Sequence, residues 1–284
     1  MEFKMSRIVY VNGSYLPEEQ GKISIFDRGF LFADGIYEVT AVVNGKLVDY
    51  APHMERLERS LHEVQMDWPC SREELKAMHV EMVKRNNLAE GWIYMQVTRG
   101  SADRDFKFPK GVKPTLIAFT QAKKLVDNPD AARGVSVITI PDIRWARRDI
   151  KTVNLLAPVL GKQAAYEAGA FEAWMVEDGK VTEGTSSNAY IVKDGKVVTR
   201  GLSNNILAGC TRRALFRLAT EHHVEIEERS FTADEAYAAD EAFLTSASNF
   251  VMPIVEIDGK RVGGGQPGPL TRKLREMFLE EIMN

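Results

Sequence analysis

The sequence predicts an α+β chain in two domains, mostly antiparallel strands with flanking helices. Three observations predict it. Asn-Gly and Asp-Gly pairs (Asn12-Gly13, Asn44-Gly45, Asp178-Gly179, Asp194-Gly195) separate short apolar runs at hairpin spacing. Helical segments are interspersed without a regular βαβ alternation, which disfavours a doubly wound sheet or a TIM barrel. A polar stretch from Lys123 to Gly134, containing Asp127-Asn128-Pro129-Asp130, is the best linker in the chain.

Taken in order, Ile8 to Val11 is a strand that turns at Asn12-Gly13 and returns through Tyr15-Leu16. Ile23-Ser24-Ile25 alternates, and Asp27-Arg28-Gly29 reads as a loop. Phe30 to Val43 leads through a type I′ candidate turn into Lys46-Leu47-Val48, a second hairpin. On its first strand Tyr37, Val39 and Ala41 share one face, and Glu38, Thr40 and Val42 the other. Pro52 suits a first helical turn, and Leu57, Leu61 and Val64 continue that helix. Ser71-Arg72-Glu73-Glu74 is a capping box that opens a helix to about Asn86. Strands follow at Trp92–Arg99 and Pro114–Thr120, with a charged loop, Gly100 to Pro109, between them. Beyond the linker, Val135–Ile140 is a strand. Asn154 is the expected cap of a helix to about Glu167, closed by Gly169. Phe171–Val176, Lys180–Thr182, Ala189–Val192 and Lys196–Thr199 are strands, and Thr211 to about His223 is a helix. Glu241–Thr245 and Met252–Ile257 are strands, and Leu270–Ile282 is a terminal helix.

Composition narrows the function. The chain has 284 residues, 44% of them hydrophobic, enough to bury a sizeable core. Its formal net charge is −3, with the signs interspersed, so nucleic acid and anionic membranes are not expected partners. The opening residues Met1 to Arg7 are too polar for a signal peptide, and no apolar run approaches a membrane span. Cys70 and Cys210, the only cysteines, suit reduced thiols and the cytoplasm. None of the five histidines has metal-ligand spacing with another, so no metal site is expected.

Two stretches carry candidate chemistry. Lys151 stands in Asp149-Ile150-Lys151-Thr152-Val153-Asn154, before an apolar run that reads as buried and after Arg144, Arg147 and Arg148. Burial and neighbouring cations both depress an amine's pKa, which suits an amine nucleophile. The plain alternative is a rim lysine. Glu183 opens Glu183-Gly184-Thr185-Ser186-Ser187-Asn188, where a carboxylate beside a pyridine nitrogen would keep it protonated and strengthen the ring as an electron sink. The alternative is an ordinary polar loop. Gly209-Cys210-Thr211 at a helix start, and Ser246-Ala247-Ser248-Asn249 after a strand, offer backbone amides and hydroxyls to a phosphate. Helix caps routinely share that composition. Arg56 could neutralise a phosphate, or simply lie on a solvated helix face. Arg104 and Arg144 could grip a carboxylate with their guanidinium forks. His53 reads as a surface or cap residue rather than a general base.

Together these pieces resemble the fold-type IV pyridoxal-phosphate enzymes, and most closely the D-amino-acid aminotransferases. The resemblance runs through Asp27-Arg28-Gly29, Asp34-Gly35-Ile36-Tyr37-Glu38-Val39 and His53-Met54-Glu55-Arg56-Leu57. It continues through Tyr94 to Gly100, Asp142-Ile143-Arg144-Trp145, Asp149-Ile150-Lys151, Val181-Thr182-Glu183-Gly184, Ser187-Asn188 and Cys210-Thr211-Arg212. It implies that Lys151 is the Schiff-base lysine and the base that moves the substrate's α-proton. It implies that Glu183 pairs with the pyridinium nitrogen of pyridoxal 5′-phosphate. Arg56, Cys210, Thr211 and Ala247 match phosphate-binding positions, with Ser246 beside them. Leu207 would pack on the ring, and Ser186 and Ser187 would lie beside the cofactor. Tyr37 and Val39, with Arg104 and Arg144, would line the substrate side.

The resemblance further implies a small N-terminal α+β domain over 1–120, a linker at 121–133 and a larger domain over 134–284 carrying the lysine. It implies a homodimer in which loop 100–109 reaches into the neighbouring site. The implied reaction moves an amino group from a D-amino acid, such as D-alanine or D-glutamate, to pyruvate or 2-oxoglutarate. The alternatives within the fold are an (R)-selective amine transaminase and a branched-chain L-amino-acid aminotransferase, with an aminodeoxychorismate lyase behind them. Outside enzymes, a cofactor-binding carrier or a structural oligomerisation module competes. Two departures bear on substrate range: Arg104-Asp105-Phe106 replaces the Arg-x-His of the D-enzymes, and Ala41 stands where relatives often carry lysine.

Overall fold

The computed structural model describes residues 6–283. The reading of residues 1–5 lies outside them. The chain divides into two compact units, Met1–Lys124 with Ile150–Asn154, and Leu125–Asp149 with Leu155–Asn284.

The first unit is built on a six-stranded antiparallel sheet. Its strands are β1 (Ile8–Val11), β2 (Ser14–Pro17), β3 (Gly35–Val43), β4 (Lys46–Leu47), β5 (Gly91–Thr98) and β6 (Thr115–Ala122), in the order β2-β1-β6-β5-β3-β4. Asn12 and Asn44 take left-handed φ angles ahead of Gly13 and Gly45, as the hairpin turns require. Alternation along β3 sends Ile36, Glu38, Thr40 and Val42 into the core and leaves Tyr37 and Val39 half-buried. Helices α2 (Tyr50–Glu63) and α3 (Arg72–Arg85) supply Met54, Leu57, Leu61, Leu75, Met78 and Met82 to the same core as Ile93, Met95 and Val97 of β5. Ser71 caps α3 through the full capping box.

Three local readings differ here. Asp27-Arg28-Gly29 is not a loop: Asp27 accepts from the Gly29 amide and caps a one-turn helix α1 (Arg28–Phe32). Ile23-Ser24-Ile25 forms no strand, and its isoleucines are exposed. His53 is neither a surface nor a cap residue but a buried member of α2.

The segment Ile150–Asn154 belongs to this unit, whereas a division at 121–133 assigns it to the second. Its backbone extends β3: the Tyr37 amide donates to Lys151 O at 3.0 Å, the Val153 amide to Gly35 O at 3.0 Å, and Ile36 bridges Thr152.

The second unit carries a nine-stranded sheet. It contains β7 (Val135–Pro141), β8 (Glu172–Glu177), β9 (Lys180–Gly184), β10 (Asn188–Lys193), β11 (Lys196–Thr199), β12 (Ile226–Glu228), β13 (Glu241–Ser246), β14 (Phe250–Ile257) and β15 (Lys260–Arg261). The order is β12-β11-β10-β13-β14-β7-β8-β9, with β15 on β14. Most pairings are antiparallel; β7 pairs parallel with both β14 and β8, as does β11 with β12. Helices α5 (Leu156–Glu167), α6 (Cys210–Glu221) and α8 (Pro269–Met283) join the sheet with the short α4 (Pro129–Arg133) and α7 (Ala233–Tyr237). Asn154 does not cap α5: Leu155 holds that place without a side-chain hydrogen bond. The polar stretch is not a bare tether either. Asn128 caps α4, Leu125 is fully buried, and Arg275 of α8 donates to the Leu125 and Val126 carbonyls at 3.0 Å each.

Candidate active site

In the first unit, β3 and the Ile150–Asn154 segment bring Lys151 to Tyr37. The lysine Nζ lies 4.1 Å from the centre of the tyrosine ring. Tyr37 stacks on Tyr94, which stacks on Phe119, so an aromatic row backs the face that Tyr37 shares with Val39. On the opposite face Glu38 is buried. It accepts from Arg56 Nε at 2.9 Å and Nη2 at 2.7 Å, and shares a 2.7 Å hydrogen bond with His53 Nδ1. Arg56 is therefore not on a solvated helix face; His53 and Arg56, one turn apart on α2, meet a single carboxylate. Burial pushes Glu38 up, but the charges and hydrogen bonds of Arg56 and His53 outweigh it and hold it down at about 2.

Arg104 lies in the exposed loop after β5. Its guanidinium sits 5.1 Å from the Phe32 ring and 5.5 Å from the Phe106 ring. Phe106 is itself 77% exposed.

In the second unit, Glu183 at the end of β9 is buried in a dense hydrogen-bonded setting. It accepts from Arg144 Nη1 at 2.6 Å, Asn188 Nδ2 at 3.0 Å and the Leu207 amide at 3.1 Å. Burial raises the Glu183 carboxyl above the ordinary glutamate value, while the Arg144 charge and these bonds pull back. Arg144 spends the rest of its fork on Asp142, Nε to Oδ1 at 3.0 Å and Nη2 to Oδ2 at 2.7 Å. The Arg144 donors thus face Asp142 and Glu183. Arg147 pairs with Asp149 and Arg148 with Glu177. The cations counted as bare charge before Lys151 are each neutralised by a carboxylate.

The hydroxyls after Glu183 gather on another buried acid. Thr185, Ser186 and Ser187 all donate to Glu172, Ser186 to Oε2 at 2.9 Å and Ser187 to the same oxygen at 3.4 Å. Cys210 and Thr211 begin α6 after Gly209, whose N-terminal amides have no side-chain cap and no acidic residue in the first turn. A Cβ at Gly209 would lie 2.2 Å from Asn188 Oδ1, so the approach to that helix start requires glycine. Ser246 ends β13 and accepts from Asn249 Nδ2 at 3.1 Å across a tight turn that contains Ala247.

The structure brings Lys151 to Tyr37, and Glu183 to the Leu207 amide. The sequence reading missed Glu38, Asp142, Glu172 and Asn188 as the groups that hold the candidates. A buried acid leaves no local mark when its partner lies 14 to 40 positions away, as Glu172–Ser186 and Thr182–Asp142 do. Among the described residues no group of three His, Cys, Asp or Glu side chains could hold a metal ion, and no helix is long and apolar enough to cross a membrane.

Comparison with known proteins gives a consistent result. Residues 35–257 match the family model described as amino-transferase class IV. A D-alanine aminotransferase of Bacillus licheniformis is 40% identical over 278 residues, 97% of each chain. One from Staphylococcus haemolyticus is 42% identical over 96% of this chain and 97% of its own. Among solved structures, a branched-chain amino acid aminotransferase of T.th. with pyridoxamine 5′-phosphate superposes at a TM-score of 0.89. It is 25% identical and covers 98% of this chain and 94% of its own. The branched-chain aminotransferase of Thermoproteus uzoniensis with norvaline does so at 0.87 and 28% identity, covering 98% and 95%.

Proposed function

This chain belongs to the amino-transferase class IV family, and from that premise we propose that it is a pyridoxal-phosphate aminotransferase acting on D-amino acids. It moves the amino group of a donor such as D-alanine or D-glutamate to a 2-oxo acid such as pyruvate or 2-oxoglutarate. The observation that carries this is the 40–42% identity to D-alanine aminotransferases along nearly the whole chain. The branched-chain structures share the fold at 25–28% identity, which supports their activity less well.

The residues present suit the cofactor. The uncapped, acid-free start of α6 at Cys210 and Thr211 is a ready anion site, and the turn at Ser246 and Ala247 adds further amides. Arg56 adds a cation, shared with Glu38. When bound, the cofactor supplies an electron sink for charge developing at the substrate's Cα. Lys151 Nζ would hold the cofactor covalently, and its amine is the group placed to take the substrate's Cα proton and return it. Tyr37 walls that amine, with Val39 beside it on the strand. Glu183, beside the Arg144 guanidinium, would hold the proton on the ring nitrogen, and Leu207 would pack on the ring face. Ser186 and Ser187, tied to Glu172, border the same ring. Arg104 meets the substrate α-carboxylate of the neighbouring subunit through the Gly100–Pro109 loop, in a homodimer. Two free cysteines support a cytoplasmic setting.

The deciding experiment is a panel of D-alanine, L-leucine and (R)-1-phenylethylamine with pyruvate or 2-oxoglutarate. D-alanine should turn over at least about tenfold faster than the others, a discrimination of some 1.4 kcal/mol at the barrier. Preferred turnover of L-leucine would end this reading. Lys151→Ala should abolish turnover while keeping the fold.

A further inference from the structure

The loop that carries Arg104 is clamped from within its own unit, and the clamp converges on one carboxylate. Asp34 Oδ2 accepts from two arginines at once, Arg28 Nε at 2.8 Å and Arg99 Nε at 2.8 Å. Each arginine then grips the loop. Arg28, 3% exposed, donates through Nη1 to the Asp105 carbonyl at 2.6 Å and through Nη2 to the Phe106 carbonyl at 3.5 Å. These carbonyls immediately follow Arg104. Arg99 stacks its guanidinium 3.6 Å from the centre of the Phe108 ring and donates to the Val64 and Gln65 carbonyls, which fixes it against the end of α2. At the loop's base the Arg28 amide donates to Gly100 O at 2.8 Å, and Asp27 bridges Ser101.

The loop itself lacks regular structure, and its side chains at Arg104, Phe106 and Phe108 are exposed. Such a segment is ordinarily mobile, and ordering it at the moment of binding lowers affinity. Here that order is built in beforehand. Arg28 also lies 4.6 Å from the Phe32 ring, the same ring that Arg104 approaches at 5.1 Å. The arginine that holds the backbone and the arginine that faces outward thus share one aromatic partner.

We propose that Asp34, acting through Arg28 and Arg99, is the positioning residue that fixes the Gly100–Pro109 loop and so sets the enzyme's affinity for the substrate α-carboxylate. The substrate half of this rests on the role given to Arg104 above; the clamp itself does not. Asp34 and Arg28 spend these contacts on each other, on Arg99 and on the loop backbone. Their effect is transmitted by where they leave Arg104.

The test uses the holoenzyme and two readouts. Hydrogen exchange over residues 101–108 should quicken about tenfold in Asp34→Asn and in Arg28→Met, with the exchange of α3 unchanged. In the same variants the KM for D-alanine should rise roughly fivefold while kcat stays within about twofold, as loss of preorganised ground-state binding requires. In an Arg104→Met background, neither substitution should raise KM further. Arg28→Lys keeps the charge but not the fork, and should resemble Arg28→Met. Unchanged loop exchange in both variants overturns the clamp. A KM increase that persists without Arg104 overturns the substrate half. If Arg104→Met by itself leaves the KM for D-alanine untouched, the role of Arg104 fails, while faster loop exchange still upholds the clamp.

Discussion

At the scale of single residues, the chain stores ionisable groups where their charge matters most. Glu38, held at about 2 by Arg56 and His53, is one; His79 is the other. Burial on α3 depresses the His79 imidazole from 6.5 to about 4, and its neutral ring donates Nδ1–H to the Leu75 carbonyl at 2.8 Å. Both folded values lie below their unfolded ones, so the unfolded chain binds more protons in each window and stability falls on acidification. The His79 contribution is complete above pH 6.5 and lost as the pH falls to about 4; that of Glu38 is complete above 4.5 and lost towards 2. Denaturant unfolding across this range should show a shallower slope between pH 6.5 and 4 in His79→Leu. Glu38→Gln should cost about 3–5 kcal/mol at neutral pH, because it removes the buried carboxylate that Arg56 and His53 share. An unaltered slope in the histidine variant would sink the first claim. Glu183 behaves oppositely, its carboxyl raised by burial and drawn back by Arg144. Arg144→Gln should push it higher still, moving the acid limb of the kcat profile upward and lowering turnover by about 10- to 100-fold. None of these pairings was legible in the sequence. Arg56 is 18 positions from Glu38 and Arg144 is 39 from Glu183, and only the packing of α2 on β3, and of the loop after β7 on β9, brings them together.

At the scale of elements, legibility followed how local the signal was. Ser71 with Glu74, and the Asn-Gly and Asp-Gly pairs, act within four residues, and the structure realises each one. Ser71→Ala should therefore cost about 1 kcal/mol of stability, read as a lower denaturant midpoint with unchanged slope, because it orphans the Glu74 amide. No loss would mean the cap is redundant with the packing of Leu75 and Met78. Asn154 misled because a good capping side chain lay one residue before the N-cap position, which Leu155 takes at the end of the segment paired with β3. Ile23-Ser24-Ile25 misled because alternation marks a strand only where a neighbour offers a ladder. Helix α1 went unread because five residues carry too little periodicity. Its Asp27 cap and the contact of Gly29 with Thr98, where a Cβ would lie 2.3 Å from Cγ2, are visible only once β5 is in place.

At the scale of the whole molecule, each unit buries its own core, and the second unit leaves one apolar helix face exposed. One face of α5 packs inward through Gly161 and Ala165, where a Cβ on the glycine would meet Ile140 at 2.5 Å. Its other face presents Leu156, Val159, Leu160 and Tyr166, each more than half exposed. Four large apolar side chains at helical spacing are costly to leave in water, roughly 1.5–3 kcal/mol apiece if fully buried. The sequence reads this run as buried, and the structure corrects that: only its small residues face the sheet, a choice that depends on how closely β7 approaches. A second copy of the chain, which the proposed arrangement of Arg104 requires in any case, is the natural cover. Val159→Asp with Leu160→Asp should convert a dimer to a monomer in sedimentation velocity and leave thermal unfolding of the monomer cooperative. D-alanine turnover should fall with it, because a lone protomer lacks the neighbouring loop. A double variant that stays dimeric and active would place the subunit contact elsewhere; one that turns monomeric with full activity would remove the loop from the neighbouring site altogether.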